Sequence, residues 1–264
     1  MTHPQERTKE VPTENIKRLS VQISLTGLSF LLEYPSGDSW VYRHELPSGL
    51  HPGDVLIELQ QILSQERFSN KTQEVVVVYH HPTFTFVPEA LFAPENLADY
   101  LKFNAKILAQ DYLDYDISKS RGMVNVYVPY TNINNFFFDR YGDFTFLHSA
   151  TVYLAALESK TTAKSTQVAA HLEDNSLMIA VTTGNKVSLI NAFEISAAED
   201  FAYYLLFTME QLGLDPKEIP LVLSGNISED DDYFALGYRY VKDISILEGS
   251  QEAFLLKNVA AACE

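Results

Sequence analysis

Residues Thr166–Ile195 read TQVAAHLEDNSLMIAVTTGNKVSLINAFEI, and three strands follow from them. Val168–Leu172 and Leu177–Val181 are short apolar runs; Lys186–Ile195 follows the hairpin signal Thr182-Thr183-Gly184-Asn185. A helix over about Ala197–Leu212 comes next, stopped by Gly213 and Pro216. A buried strand, Ile219–Leu223, then runs into Ser224-Gly225-Asn226. The same order occurs near the N-terminus. Leu19–Ile23, Leu28–Tyr34 and Trp40–Leu46 read as strands, with Pro35-Ser36-Gly37-Asp38 as a turn, and a helix over about Asp54–Phe68 follows. The spacing is constant across much of the repeat: Gln22 corresponds to His171 (171 − 22 = 149), Leu28 to Leu177, Leu32 to Val181 and Leu46 to Ile195. A duplicated βββαβ unit implies an α/β protein of two similar lobes facing each other.

Working outward, residues 1–18 are polar with two prolines and read as a flexible tail. Lobe one is expected over 19–160 and lobe two over 161–264, with polar Lys160–Lys164 as the crossing. Asp54 is the expected N-cap of the first helix. Glu74–Tyr79 holds four consecutive valines, the mark of a strand buried on both faces. Between the lobes' two framework units lie Thr83–Val87, a helix expected over Pro94–Ala109, a short strand Tyr112–Ile117 and a strand Val124–Val128. A helix over Asn132–Tyr141 carries Phe136-Phe137-Phe138; three successive aromatics cannot all face one side, so at least one is expected at the surface.

Nineteen basic against 35 acidic residues give a formal charge of −16, which opposes binding to nucleic acid or anionic membranes. No apolar run is long enough to insert in a bilayer. Cys263 is the single cysteine, so no internal disulfide forms, and a cytoplasmic setting is expected. No metal site is expected: His80 and His81 are adjacent on a strand end and point to opposite sides. The run Glu229–Asp232 reads as a solvated helix start rather than a metal site. No P-loop, zincin or nucleophile-elbow motif is present.

Val21-Gln22-Ile23-Ser24, the inserted region with Phe84-Thr85-Phe86 and Leu113-Asp114-Tyr115-Asp116, the segment Phe144-Thr145-Phe146-Leu147-His148, and Leu223-Ser224-Gly225-Asn226 together resemble the actin-like ATPase superfamily. The likeness runs from about Leu19 to Leu247 and is nearest to the bacterial branch with PilM, FtsA and the cytoplasmic domain of GspL. It also fits a small bacterial family of this fold with degenerate nucleotide loops. It implies a duplicated two-lobe, ribonuclease H-like α/β fold with a small subdomain inserted in lobe one at about 83–118. By the same resemblance, nucleotide phosphates would lie between two glycine-bearing hairpins, here Gln22, Ser24, Thr26 and Gly27 against His171, Glu173, Asp174 and Asn175, with Ser224, Gly225 and Asn226 at the adenine loop.

Those loops depart from the superfamily pattern. Gln22 and His171 stand where the superfamily has Asp; Ser24 and Glu173 stand for Gly; Gly225 is one glycine where three are usual. Glu173 and Asp174 would repel a polyphosphate by roughly 4 kcal/mol per unit charge pair at 4 Å, unless a cation bridges them. The expectation is a protein without catalytic residues or cofactor, acting as a cytoplasmic scaffold or adaptor. The alternative is an ATPase or switch holding ATP and Mg²⁺ in the same cleft. The expected partner is another protein or a second copy of the chain, met by the insert through Phe84, Phe86, Tyr112 and Tyr115.

Overall fold

The computed structural model describes residues 15–47, 49–69, 71–103, 107–108, 111–160, 165–250 and 252–263. In lobe one, β1 (Ile16–Ile23), β2 (Gly27–Glu33) and β3 (Ser39–Glu45) form an antiparallel meander. Helix α1 (Pro52–Leu63) crosses over, and β4 (Thr72–Tyr79) returns parallel to β1. The insert follows: β5 (Phe84–Pro88), α2 (Leu97–Leu101), β6 (Asp114–Ser118) and β7 (Met123–Tyr127). Lobe one closes with α3 (Thr131–Tyr141), β8 (Thr145–His148) and α4 (Ser149–Lys160). Lobe two has β9 (Thr166–Glu173), β10 (Ser176–Thr183), β11 (Lys186–Glu194), α5 (Ala198–Gln211), β12 (Leu221–Gly225), α6 (Asp232–Tyr240) and β13 (Ile244–Ile246). Two short helices, α7 (Phe254–Lys257) and α8 (Val259–Ala262), end the chain as described. The two large sheets have the same order, β3-β2-β1-β4-β8 and β11-β10-β9-β12-β13, and the insert forms a third, β5-β7-β6.

The duplication extends to strand register, apart from a bulge at Val181/Thr182 between β10 and β11 that β2 and β3 lack. Gln22 lies between Ser29 and Val78; His171 lies between Met178 and Ser224. The 149-residue offset holds across the first hairpin (178 − 29 = 149) and shortens at the returning strand (224 − 78 = 146). The crossover helices keep the shorter offset, since Asp54 and Asp200 do the same work. Each carboxylate accepts the backbone N–H three residues before it, from His51 at 3.0 Å and Ala197 at 3.2 Å. Asp54 is thus inside the first turn and not the N-cap expected for it; Pro52 occupies the helix start, where its missing N–H costs nothing.

The side-chain period of two divides lobe two's sheet between two cores. Val168, Ala170 and Leu172 pack under α5 with Phe201 and Leu205. Ala169, Met178 and Ala180 face the other way, into a cluster that also holds lobe one's valines, α4, and Phe254, Leu255 and Leu256. One apolar core therefore runs through both lobes. Helix α4 is buried nearly all round because it lies inside that core.

Two expected elements differ. The helix expected over Pro94–Ala109 is a 3₁₀ turn at Pro94–Asn96 and the five-residue α2. Leu97, Tyr100 and Leu101 supply one turn of inner face, and Phe103 beyond them is 84% exposed, so no apolar stripe carries the helix on. Residues 104–106 and 109–110 of that expected helix lie outside the described residues, as do 1–14 of the expected tail and 161–164 of the expected crossing. The first strand begins at Ile16, before the Leu19 expected. Phe136–Phe138 divides as the helix geometry requires: Phe137 is buried, Phe136 half-buried and Phe138 60% exposed.

Candidate functional site

Three segments meet between the lobes: the β1–β2 turn, the β9–β10 turn and the end of β12. In the first, Ser24 Oγ accepts the backbone N–H groups of Gly27 at 2.9 Å and Thr26 at 3.2 Å. The donors that would face an anion there are satisfied by their own turn. Gly27 sits where a Cβ would lie 3.3 Å from the His44 carbonyl and 3.6 Å from Asp174 Oδ2, so the two hairpins approach closely. At the β12 end, Gly225 has φ +98°, and a Cβ would lie 2.0 Å from the Leu172 carbonyl oxygen. Glycine is needed there to let β12 close on β9, and the next N–H, of Asn226, donates to the same Leu172 carbonyl at 2.8 Å.

The centre of the site is Glu173. Its carboxylate accepts the Gln22 Nε2–H at 2.9 Å and the Arg43 Nη2–H at 2.7 Å, both from lobe one. Arg43 also donates to Asp174 Oδ1 at 3.2 Å. His171 Nε2–H donates to Glu173 at 3.4 Å and turns Nδ1 to Ser224 Oγ at 3.1 Å. Burial alone would raise the Glu173 pKa; the His171 hydrogen bond, helped by the positive charge around it, outweighs burial and holds it at about 2. His80 faces the same group and is pushed down to about 4 by burial, so Arg43 is the permanent cation at neutral pH. Arg43 is the bridging cation whose absence would have left Glu173 and Asp174 in repulsion. The sequence held one sign of it. Arg43 alternates in β3 with Trp40, Tyr42 and His44, whose rings stack on the opposite side under Arg67.

A second buried polar cluster fastens the insert. Asp116, on β6, accepts the Thr151 hydroxyl at 2.6 Å, the His148 backbone N–H at 2.8 Å and the Tyr127 hydroxyl at 3.0 Å. Burial pushes its carboxyl up to about 7 against the pull of these three donors. His148 accepts Ala150 N–H on Nδ1 and so donates from Nε2 to the His81 carbonyl at 3.0 Å. The adjacent His80 and His81 point apart as expected, His80 to Ser149 and His81 toward Tyr130 and His148. Among the described residues no group of three His, Cys, Asp or Glu side chains could hold a metal ion. The acidic run is a turn: Asp231 accepts from Ser228 N–H and Oγ–H at the start of α6.

Of the expected docking aromatics, Phe84 is buried against His148 and is not a surface anchor, since β5 turns it into the lobe-one core. Phe86 and Tyr115 are half-buried, Tyr115 against Phe92. Tyr112 is 50% exposed. Of the cleft candidates, Gln22, Ser24, His171, Glu173, Ser224 and Gly225 come together in the buried interior, while Thr26, Asn175 and Asn226 stay at the solvent rim.

A family model described as "Protein of unknown function (DUF3822)" matches residues 6–244. The chain belongs to the DUF3822 family. No curated protein matches its sequence. A Bacteroides thetaiotaomicron protein with actin-like ATPase fold and unknown function is similar at TM-score 0.83 and 19% identity, over 97% of this chain and 99% of that one. The PilM–PilN type IV pilus biogenesis complex gives a TM-score of 0.56 at 13% identity, over 94% of each chain. This DUF3822 protein has the actin-like ATPase fold, in an α/β framework of two duplicated sheets. Among its described residues no helix is long and apolar enough to cross a membrane.

Proposed function

We propose that this DUF3822 protein is a non-catalytic actin-fold scaffold in the cytoplasm, whose interlobe cleft is sealed from within and whose insert docks a protein partner. The observation that carries the reading is the hydrogen bonding of Gln22 and Arg43 in one lobe to Glu173 in the other, at the place a polyphosphate would occupy. A second lock supports it: Arg121, at the insert's hairpin, donates to the Asn185 carbonyl of lobe two at 3.2 Å and to the Leu154 carbonyl at 3.1 Å. An unshielded carboxylate pair deters phosphate; here Arg43 offsets one of the two charges, fills the space between the lobes and is itself held by Glu173 and Asp174.

ATP or ADP with Mg²⁺ is expected to leave the melting temperature of the purified chain unchanged. A nucleotide held at a hundredfold excess over its Kd would add about 2.7 kcal/mol, and an upward shift of that size overturns the sealed-cleft reading in favour of a nucleotide switch.

The insert is the side of the molecule fitted for docking. Leu91 is 71% exposed, Phe103 84%, Tyr112 50% and Ile117 46%, all within one small subdomain. PilM, of similar fold, is known in complex with PilN. Affinity purification from the native host is expected to recover a partner with the wild-type chain and to lose it with a folded Leu91→Ser/Ile117→Ser variant. Equal recovery by both sinks the docking role of the insert.

A further inference from the structure

Helix α5 carries a second exposed aromatic ridge, far in sequence from the insert. Its exposed positions are Glu199, Tyr203, Phe207, Glu210 and Gln211. The spacing of four, four and three puts Glu199, Tyr203, Phe207 and Glu210 on one helical face. Tyr203 is 62% exposed and Phe207 46%. The two rings stack, 13° from parallel with centroids 6.0 Å apart. Tyr203 also meets Tyr204 edge-on at 5.2 Å, and Tyr204 stacks on Phe193 of β11 at 4.2 Å. The ridge is therefore braced through to the sheet edge, and its rings lose little freedom on contact with a partner. Next to it, α6 packs on α5 through Phe201 and Tyr233 and exposes 68% of Tyr238.

Core packing explains none of this exposure. The inner face of α5 is complete in Phe201, Ala202, Leu205, Thr208 and Met209. A solvated helix face needs no stacked Tyr–Phe pair at its centre, whereas docking surfaces are enriched in rigid aromatics.

Charge selects the occupant. Helix α5 has no lysine or arginine, and the aromatic pair is bracketed by two glutamates on a chain of formal charge −16. A second copy fits poorly: antiparallel pairing of the ridge with itself sets Tyr203 over Phe207 but brings Glu199 against Glu210. An anionic membrane is repelled by the same two groups. We infer that the outer face of α5 binds a cationic amphipathic helix of another protein, its apolar side on Tyr203 and Phe207 and its Lys or Arg residues on Glu199 and Glu210, away from Arg239 of α6. The ridge is a surface apart from the insert and from the interlobe cleft, and its occupant is independent of whether the cleft holds nucleotide.

The test uses the full chain and a labelled lysine–leucine peptide of about 18 residues with a helical amphipathic pattern, beside a scrambled peptide of equal composition. The patterned peptide is expected to bind at least tenfold tighter than the scrambled one. Tyr203→Ser/Phe207→Ser should erase that preference with the melting temperature held. Glu199→Gln/Glu210→Gln should weaken binding and flatten its salt dependence. Equal binding of both peptides overturns the inference, as does a preference that survives loss of the two rings. Sedimentation showing a wild-type dimer that the Tyr203→Ser/Phe207→Ser variant dissolves would also overturn it, by assigning the face to a second copy.

Discussion

Arg43→Ala is expected to lower the unfolding free energy by about 3–5 kcal/mol at neutral pH, because it strands a buried carboxylate. The Glu173 side chain is 6% exposed and Arg43 28%, so water can replace little of what the guanidinium supplies. For a chain of this size that is a fall in melting temperature on the order of 10 °C. The loss comes from leaving one partner without the other, so Glu173→Gln alone should cost less than Arg43→Ala. The double variant Arg43→Ala/Glu173→Gln should regain much of what Arg43→Ala loses. The pH dependence has a definite sign. Glu173 is held at about 2, below its ordinary value of 4.5, so its contribution is present above pH 4.5 and lost as pH falls toward 2. Without Arg43 its pKa rises, and the defect of Arg43→Ala should shrink once the carboxyl protonates. Denaturant titrations of the four proteins decide it: additive single effects would mean that the pair does not hold the lobes together.

The framework was legible because its signals are local. Val75–Val78 announces a central strand, Gly184-Asn185 a two-residue hairpin turn, and the 149-residue offset a second copy, and each rests on side-chain period or turn chemistry. The loop departures at Gln22, Ser24, His171 and Glu173 are visible as residue types other than the superfamily's Asp and Gly. The use made of them is not. Arg43 stands 130 residues from Glu173, and only the packing of two lobes brings them to 2.7 Å. Asp116 belongs to the Leu113–Asp116 pattern, yet its burial depends on partners distant in sequence, Thr151 of α4 and Tyr127 of β7. Phe84 failed as an anchor for a like reason: alternation in a strand tells which residues share a face, not which face meets the core. The helix expected through Ala109 lacked the repeated inner stripe that tertiary packing requires, although Pro94 marked a start.

Asp116→Asn is expected to make the protein more stable than wild type at pH 8, with the advantage fading as pH falls toward 4. Asp116 has its ordinary value of 3.8 in the unfolded chain and about 7 in the fold. The fold thus holds this proton more tightly, so the stability it contributes is full below pH 3.8 and is lost as pH rises through 7. At 1.36 kcal/mol per unit the swing is on the order of 4 kcal/mol. Asparagine stays neutral throughout, and its carbonyl can accept Thr151 Oγ–H and the His148 N–H while its amide faces the Tyr127 hydroxyl. His80 and His81 run the other way. Burial lowers both from 6.5 to about 4, so their contribution is present above pH 6.5 and is lost as pH falls through 4, about 3 kcal/mol each. His148 is lowered in the same sense by burial. Three imidazoles outweigh one carboxyl, so wild type should lose stability between pH 6.5 and 4, and Asp116→Asn should lose it more steeply because the opposing group is gone. Thermal unfolding of both proteins at pH 8, 7, 6 and 5 measures the difference. A gap that stays constant across that range would show that Asp116 does not change its protonation on folding, and the tether between insert and lobe one would then be a hydrogen-bonded anion from pH 5 to 8.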